Sequence, residues 1–199
     1  YVKNRDYFWK FDLNPMASFI TKENINKVIG DKLKELNIGS DIGLLSIDID
    51  GVDYWVLKEI DCIDPLIIVC EYNSIFGNTI PVTVPYDDSF VRSRYHYSNL
   101  YWGANLKAFK NLLYEKGYVF IGSNSQNLNA FFVKKEVADK YLSNFLEEDI
   151  EFEKSKIRES LDRNGRLNYL RADERLVEIE AMELVRIDRN EKIKVGQLR

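Results

Sequence analysis

The chain is poor in the residues that most metal and redox sites use. Its 199 residues include one histidine and two cysteines, so the usual four-ligand set of a zinc site is missing. Cys70 lies inside an apolar run, which predicts a buried free thiol, and Cys62 has no other partner for a disulfide. Neither a structural zinc ion nor a disulfide is expected.

An excess of basic residues and a long apolar run are also lacking. Lysine and arginine number 28 against 32 acidic residues, a formal net charge of -4, so nucleic acid is not an expected partner. No apolar stretch approaches the roughly 18 residues of a membrane span, and the N-terminus shows no signal-peptide pattern. These absences favour a cytoplasmic protein without a membrane span.

The composition that is present is that of a globular protein. Hydrophobic residues make up 45% and charged residues 30% of the chain, close to ordinary averages. We expect one core domain over residues 1–146, and a charged α+β appendage over 147–199 that packs on the core or forms a homo-oligomer contact. Because the chain opens at Tyr1 rather than Met, we expect further sequence upstream.

The apolar spacing predicts helices that alternate with strands. Aromatic-rich residues 1–20 indicate strand, loop, strand, and a helix follows from Thr21 to about Gly39. The run 42–51 predicts a strand covered on both faces, then a helix that Asp53 can cap, then a second buried strand over 66–72. These three elements form a βαβ unit with parallel strands.

The rest of the chain predicts a long loop, a helix and a hairpin. Residues 73–103 show no clear element, and a loop of that length inside a compact domain is usually functional. A helix is expected over 105–116 and an antiparallel hairpin over 118–133. Further predictions are a helix over 136–146, a turn at Asn164-Gly165 and a helical stretch around 173–184. The fold class is therefore α/β, with a mostly parallel sheet.

Acidic side chains follow both strands of the βαβ unit. Asp48, Asp50 and Asp53 follow the first strand, whereas Glu71 and Asn73 follow the second. Ligands of open parallel sheets bind outside the carboxyl ends of the strands, and oxygen ligands suit Mg²⁺. We therefore predict a site for a metal or a polyhydroxylated substrate, with Asp53 as a helix cap and Asp48 as a partly buried functional acid.

The loop that follows offers candidate substrate-binding side chains. His96 either accepts a proton from an acceptor hydroxyl or is a surface residue. Arg92 and Arg94 either hold an acceptor phosphate or carboxylate or form a solvated pair. Tyr97 and Tyr101 either stack on a sugar or belong to the core of the loop.

Two stretches of this sequence resemble a known family. Residues 44–57, which contain Asp48-Ile49-Asp50-Gly51-Val52-Asp53, and residues 65–73 resemble the central part of FkbM-type S-adenosylmethionine-dependent methyltransferases. The resemblance covers about residues 17–135. Residues 95–104 are similar to a bacterial branch associated with the modification of surface polysaccharides.

The resemblance implies a Rossmann-like class I methyltransferase sheet whose N-terminal strands lie upstream of this chain. It implies S-adenosylmethionine as cofactor and catalytic roles for Asp48, Glu71 and His96. In related magnesium-dependent O-methyltransferases an Asp after one strand and an Asp-Asn pair after the next hold the ion. Asp48 matches the first, and Glu71 and Asn73 match the pair only with Tyr72 inserted, so Mg²⁺ at Asp48, Glu71 and Asn73 is a hypothesis. The implied substrate-binding residues are Asp50, Tyr72, Asn73, Arg92, Arg94, Tyr97 and Tyr101.

The expected function is methyl transfer to a sugar, a sugar phosphate or a related small polar acceptor in the biosynthesis of a surface polysaccharide. The family grips its cofactor with a glycine-rich loop, and this chain contains no Gly-x-Gly, so that loop is expected upstream. Two alternatives stay open. One is a metal-dependent glycosyltransferase that uses Asp48-Ile49-Asp50, and the other is a non-catalytic remnant that serves as a binding module.

Overall fold

A computed structural model describes residues 13–142 and 152–199. Part of the aromatic-rich first segment and the end of the helix expected over 136–146 lie outside these ranges. The helices are α1 (Ile25–Leu36), α2 (Asp53–Glu59), α3 (Arg92–Tyr95), α4 (Leu106–Glu115), α5 (Lys135–Tyr141) and α6 (Ala172–Glu178). The strands are β1 (Leu44–Ile47), β2 (Ile67–Glu71), β3 (Val82–Thr83), β4 (Tyr118–Ser123), β5 (Asn129–Lys134), β6 (Glu183–Arg186) and β7 (Glu191–Lys194).

The main sheet has four strands in the order β1-β2-β5-β4. β1 and β2 are parallel, whereas β5 is antiparallel to both β2 and β4. Three strands therefore run in one direction and β5 alone is reversed. The mixed α/β architecture, the parallel pair around α2 and the antiparallel hairpin are confirmed. A second strand was predicted within residues 1–20. This prediction is wrong for residues 13–20, which form no helix or strand.

β1 is shorter and more exposed than its apolar sequence predicts. The strand ends at Ile47, and Asp50 turns the chain with a positive φ of 57°. Ile47 is buried, but Leu44 and Ser46 are exposed. The expectation of a strand covered on both faces is wrong here because β1 is the edge strand among the described residues and pairs only with β2.

The core helix α4 forms where its apolar spacing predicts. Asn105 caps it, since the side chain accepts a hydrogen bond from the backbone N–H of Ala108 at 3.0 Å. Phe109 and Leu113 are fully buried, and the chain leaves the helix at Gly117, whose φ is +86°.

The stretch 73–103 is ordered into short elements, contrary to the prediction of a loop without structure. It contains a 3-10 helix (Ser74–Phe76), β3 and α3. β3 forms a second sheet in the order β3-β6-β7, so this stretch is the attachment point of the C-terminal residues. In that sheet Thr83 lies opposite Val185.

The C-terminal residues share the hydrophobic core of the rest. Leu176, Ile179, Leu184 and Val195 are buried in the same cluster as the residues of α2 and α4. The helix expected around 173–184 is confirmed only as far as Glu178, because the residues after it pair with β3 instead of continuing the helix. The Asn164-Gly165 turn is confirmed, with Gly165 N–H bonded to Asp162 O at 2.9 Å.

Both cysteines are free, as expected, and Cys70 is fully buried. Burial raises the pKa of both thiols. None of the helices in the two described ranges has the length and apolar character that crossing a bilayer requires.

Candidate functional site

Three carboxylates meet at the carboxyl ends of β1 and β2. Oxygens of Asp48, Asp50 and Glu71 all lie within 4.8 Å of one another. The register explains this, because Ile47 at the end of β1 lies opposite Cys70, and Glu71 is the next residue of β2. Parallel pairing therefore brings acids more than twenty positions apart in sequence into one cluster.

Glu71 is the buried member of the cluster. Only 8% of its surface is exposed, and Oε2 is buried without a hydrogen-bond partner among the described residues. Burial, and then the charges of Asp48 and Asp50, raise the pKa of Glu71 to about 8, while Arg92 opposes the rise. A carboxyl group that titrates near neutrality can give or take a proton at physiological pH.

Asp48 is exposed rather than partly buried. It follows the edge strand β1 directly, and the described residues leave it open to water. Its candidate role therefore does not come from desolvation. It comes from its distance to Glu71 and Asp50 within the cluster.

Asp53 braces the turn that carries Asp50, and it does not cap α2. Its carboxylate accepts hydrogen bonds from the backbone N–H of Ile49 at 2.8 Å and of Gly51 at 2.9 Å. The N-cap residue of α2 is Val52, and no side chain caps the helix. Burial raises the pKa of Asp53, although both backbone bonds oppose the rise.

Asn73, which was also expected as a metal ligand, is a second bracing residue in the structure. Its amide nitrogen donates to the backbone oxygens of Leu100 at 2.9 Å and Trp102 at 3.0 Å. Its side-chain oxygen accepts from Ile75 N–H at 3.1 Å and caps the 3-10 helix. The buried Asn73 side chain thus connects the end of β2 to the loop. The third carboxylate beside Asp48 and Glu71 is that of Asp50.

Arg92 links the loop to the acidic cluster. Its guanidinium forms an ion pair with Asp50, its Nε donates to the backbone oxygen of Asn99 at 2.7 Å, and it lies 4.8 Å above the ring of Trp102. Arg92 is therefore held in place by three different contacts, and it borders two cavities.

The larger cavity, of about 520 Å³, is an open cleft lined by Asp50, Phe90, Arg92 and Asn99 among others. The smaller one, of about 130 Å³, is lined on one side by Glu71, Tyr72 and Asn73 and on the other by Ser155, Ile157 and Arg175. Tyr72 is almost fully buried, and its hydroxyl donates to Ser123 Oγ at 3.2 Å.

His96 and Arg94 line neither cavity. The His96 ring is half-buried, its Nδ1 lies 2.7 Å from Ser98 Oγ, and it stacks on Tyr97. Burial lowers the pKa of His96. The structure thus does not place His96 at the cavities beside Asp50 and Glu71. Arg94 is exposed, which agrees with the alternative that it is a solvated residue.

The two candidate tyrosines of the loop attach it to the C-terminal part of the chain. The Tyr97 hydroxyl donates to Glu178, and the buried Tyr101 donates to the backbone oxygen of Glu183. Neither residue lines the two cavities. Of the alternatives weighed for them, the structure supports the packing role.

Arg175, which lines the smaller cavity, was not among the residues predicted from the sequence. The available signal was a charge on the apolar side of α6, four residues before the buried Ile179. In a segment as rich in charges as 147–199 that signal is weak.

Comparison of the chain with protein-family models, with curated proteins and with solved structures finds no match. The chemistry of the site therefore has to be argued from its own geometry. Glu71, Asp50 and the fixed Arg92 border two adjoining cavities, and Asp48 lies beside them in the acidic cluster. Such a set can orient hydroxyl groups, hold a divalent cation or move a proton.

Proposed function

We propose that this chain carries the acceptor site of an S-adenosylmethionine-dependent methyltransferase that acts on a sugar, a sugar phosphate or a related small polar acceptor in the biosynthesis of a surface polysaccharide. The observation that carries the proposal is the unpartnered oxygen of Glu71 at the end of β2, beside Asp48 and Asp50. The strand order β1-β2-β5-β4 with β5 alone reversed supports it, since the resemblance implies such an end to a methyltransferase sheet.

The donor set fits a divalent cation. Three carboxylates converge, and one of their buried oxygens has no partner among the described residues. Asp48, Asp50 and Glu71 would hold Mg²⁺, which when bound would polarise an acceptor oxygen.

The described residues do not fit S-adenosylmethionine. The glycine at the end of β1, Gly51, faces Phe90, whose ring would lie 2.3 Å from an added Cβ, so the space beside this glycine is filled by protein. The chain has no Gly-x-Gly. We therefore assign the cofactor site to residues other than those described and derive no step through it.

The chain's own residues would align the acceptor and accept its proton. A methyl transfer by direct displacement needs an oriented nucleophile and a base for its proton. Without a bound cation Glu71 is the proposed base, since its carboxyl group is buried, has an oxygen without a partner among the described residues and belongs to a residue that lines the smaller cavity. Arg92 fixes Asp50 at the rim, where the two exposed acids can bind neighbouring hydroxyl groups.

The test is transfer of a labelled methyl group. A protein that includes the residues assigned to the cofactor would be incubated with methyl-tritiated S-adenosylmethionine and a panel of neutral, acidic and phosphorylated sugars, with and without Mg²⁺. We expect label in the sugar, and a loss of about a hundredfold or more in Glu71→Gln. The matched control is Glu115→Gln, which removes an exposed acid of α4. The absence of label in every sugar, together with no binding of S-adenosylhomocysteine in calorimetry, would contradict the proposal.

One observation favours a second function, a metal-dependent glycosyltransferase. Asp48 and Asp50 both contribute oxygens to the same cluster, as an Asp-x-Asp pair that holds a metal on a nucleoside diphosphate must. Calorimetric titration with a uridine diphosphate and Mn²⁺ separates the two functions, because tight metal-dependent binding there favours the glycosyltransferase. Binding of neither nucleotide nor S-adenosylhomocysteine favours a non-catalytic module.

A further inference from the structure

Arg175 is a buried cation in the wall of the smaller cavity. Its side chain comes from α6, and the residue is only 5% exposed. One terminal nitrogen donates to the backbone oxygen of Ile157 at 2.8 Å and the other donates to that of Ser155 at 3.3 Å. Its Nε is buried and has no hydrogen-bond partner among the described residues.

No carboxylate of the described residues forms an ion pair with Arg175. Desolvation alone lowers the pKa of Arg175, and no neighbouring charge opposes that change. A buried charge without a counter-charge is costly. An anionic ligand in the cavity would supply the missing partner.

The same cavity is lined by a second residue that has a buried atom without a partner among the described residues, Glu71 with its Oε2. Buried polar atoms in native proteins almost always form a hydrogen bond, so two unpartnered atoms in residues that line one small cavity need an explanation. Arg175 Nε is a hydrogen-bond donor on a positively charged group, and Glu71 Oε2 belongs to a carboxyl group. A ligand that satisfies both carries an anionic group for Arg175 and a hydroxyl group for Glu71.

The cavity is a built feature of the fold. Ser155 N–H donates to Ser74 Oγ at 2.8 Å, and Lys156 N–H donates to Gln126 O at 3.1 Å. These bonds, together with those from Arg175 to Ser155 and Ile157, hold residues 155–157 near the end of β2. The C-terminal part of the chain thus closes the space in front of Glu71.

We propose that this cavity binds the carboxylate of a small hydroxylated acid, of the kind found in uronic acid sugars, with the Arg175 guanidinium supplying the positive charge for the carboxylate and Glu71 a partner for a hydroxyl group. A planar carboxylate suits a guanidinium edge. As a statement about which acceptor is methylated, this inference rests on the proposed function, whereas the binding itself does not.

The size of the cavity sets the size of the ligand. Its volume of about 130 Å³ corresponds to roughly four water molecules at about 30 Å³ each. Drug-sized ligands need about 300 Å³ or more. The cavity therefore takes only the acidic end of a sugar, and the rest of the sugar extends towards the larger cleft past Arg92.

The test compares ligands that differ in a single group. Binding of D-glucuronate and D-glucuronamide to the unaltered protein would be measured by titration calorimetry, because the amide has the shape of the acid without its charge. We expect glucuronate to bind about tenfold tighter or more, since a charge-assisted hydrogen bond is lost in the amide. Affinities within twofold of each other would overturn the proposal, and so would tighter binding of D-glucose 6-phosphate than of glucuronate.

Substitutions locate the site. Arg175→Gln should abolish the preference for the acid and leave the affinity for the amide within about twofold. Arg189→Gln removes an exposed arginine of the β6–β7 turn and should leave the preference intact. A preference that survives in a folded Arg175→Gln protein overturns the assignment. If that variant does not fold, the comparison of ligands on the unaltered protein decides alone.

The outcomes separate this inference from the proposed function. Glucuronate binding without methyl transfer to any sugar supports the cavity assignment and contradicts the methyltransferase. Methyl transfer to neutral sugars, without glucuronate binding up to about 10 mM, supports the methyltransferase and contradicts the carboxylate subsite.

Discussion

Glu71 is a carboxyl group that folding removes from water and places beside two other acids. Its neighbour Arg92 does not neutralise it, because that guanidinium is already paired with Asp50. Burial is the largest cause of its raised pKa, and repulsion from Asp48 and Asp50 adds to it. Ionisation of such a buried carboxyl group lowers the free energy of unfolding, and groups of this kind are typical of functional sites.

The raised pKa of Glu71 predicts a pH dependence of stability. In the unfolded chain the carboxyl group titrates near its ordinary value of 4.5, and in the folded protein near 8. The folded state therefore binds more protons between these values, so this group lowers the free energy of unfolding as pH rises, by at most about 1.4 kcal/mol per pH unit. Glu71→Gln should remove this slope, so the variant gains stability relative to wild type from pH 5 to about pH 8.

Urea unfolding at several values between about pH 5 and pH 8 measures this effect. Glu115→Gln, which changes an exposed glutamate, should follow the wild-type curve. A constant difference in stability between Glu71→Gln and wild type across the range would show that Glu71 ionises in the folded protein as it does in water.

At the scale of elements, the turn between β1 and α2 places the cluster. Asp53 stabilises this turn by accepting hydrogen bonds from two backbone N–H groups, and the positive φ of Asp50 reverses the chain direction within it. Gly51 lets this turn pack directly on Phe90, which lines the larger cleft. The position of Asp50 therefore depends on the packing of a turn, not on β1 alone.

A methyl group at Gly51 should disturb that packing. An added Cβ would lie 2.3 Å from Phe90 Cδ1, so we expect Gly51→Ala to lower the free energy of unfolding by about 1–3 kcal/mol. The matched control is Gly30→Ala in α1, where nothing lies within 4 Å and the substitution should raise stability by about 0.5–1 kcal/mol. Urea unfolding checks both, and equal stability of Gly51→Ala and wild type would contradict the tight contact.

At the scale of the whole molecule, the C-terminal residues complete the fold. β6 pairs with β3, and the buried Leu184 belongs to the same core as Phe109 and Tyr101. Arg175 enters the smaller cavity from this part of the chain. Core and C-terminal part are therefore expected to unfold together.

Leu184→Ala tests this coupling. The side chain is fully buried, and its truncation should cost about 2–5 kcal/mol. All three tryptophans precede residue 103, so their fluorescence reports on the other part of the chain, and we expect its unfolding transition to shift by the same amount as that seen by circular dichroism. Val177→Ala, at a half-exposed position of α6, should cost less than about 0.5 kcal/mol.

An unshifted fluorescence transition in Leu184→Ala would mean that the C-terminal residues unfold on their own. The cavity between Glu71 and Arg175 would then open without loss of the main sheet.

Local signals predicted the elements whose own residues specify them. The spacing of Leu106, Phe109 and Leu113 predicted α4, and the strand patterns around α2 predicted a parallel pair with acids at one edge. The exposure of Asp48 and the bracing roles of Asp53 and Asn73 could not be predicted, because each depends on which backbone groups the turn brings near the side chain.

The sequence alone determined the α/β class, the βαβ unit, the hairpin and the meeting of Asp48 with Glu71, because hydrophobic periodicity and parallel pairing are properties of short segments. Only the tertiary structure decided that residues 183–186 are a strand, that His96 lies away from both cavities and that Arg175 lines the same cavity as Glu71. These features depend on contacts between residues about 80 to 104 positions apart in sequence. Such contacts leave no local pattern.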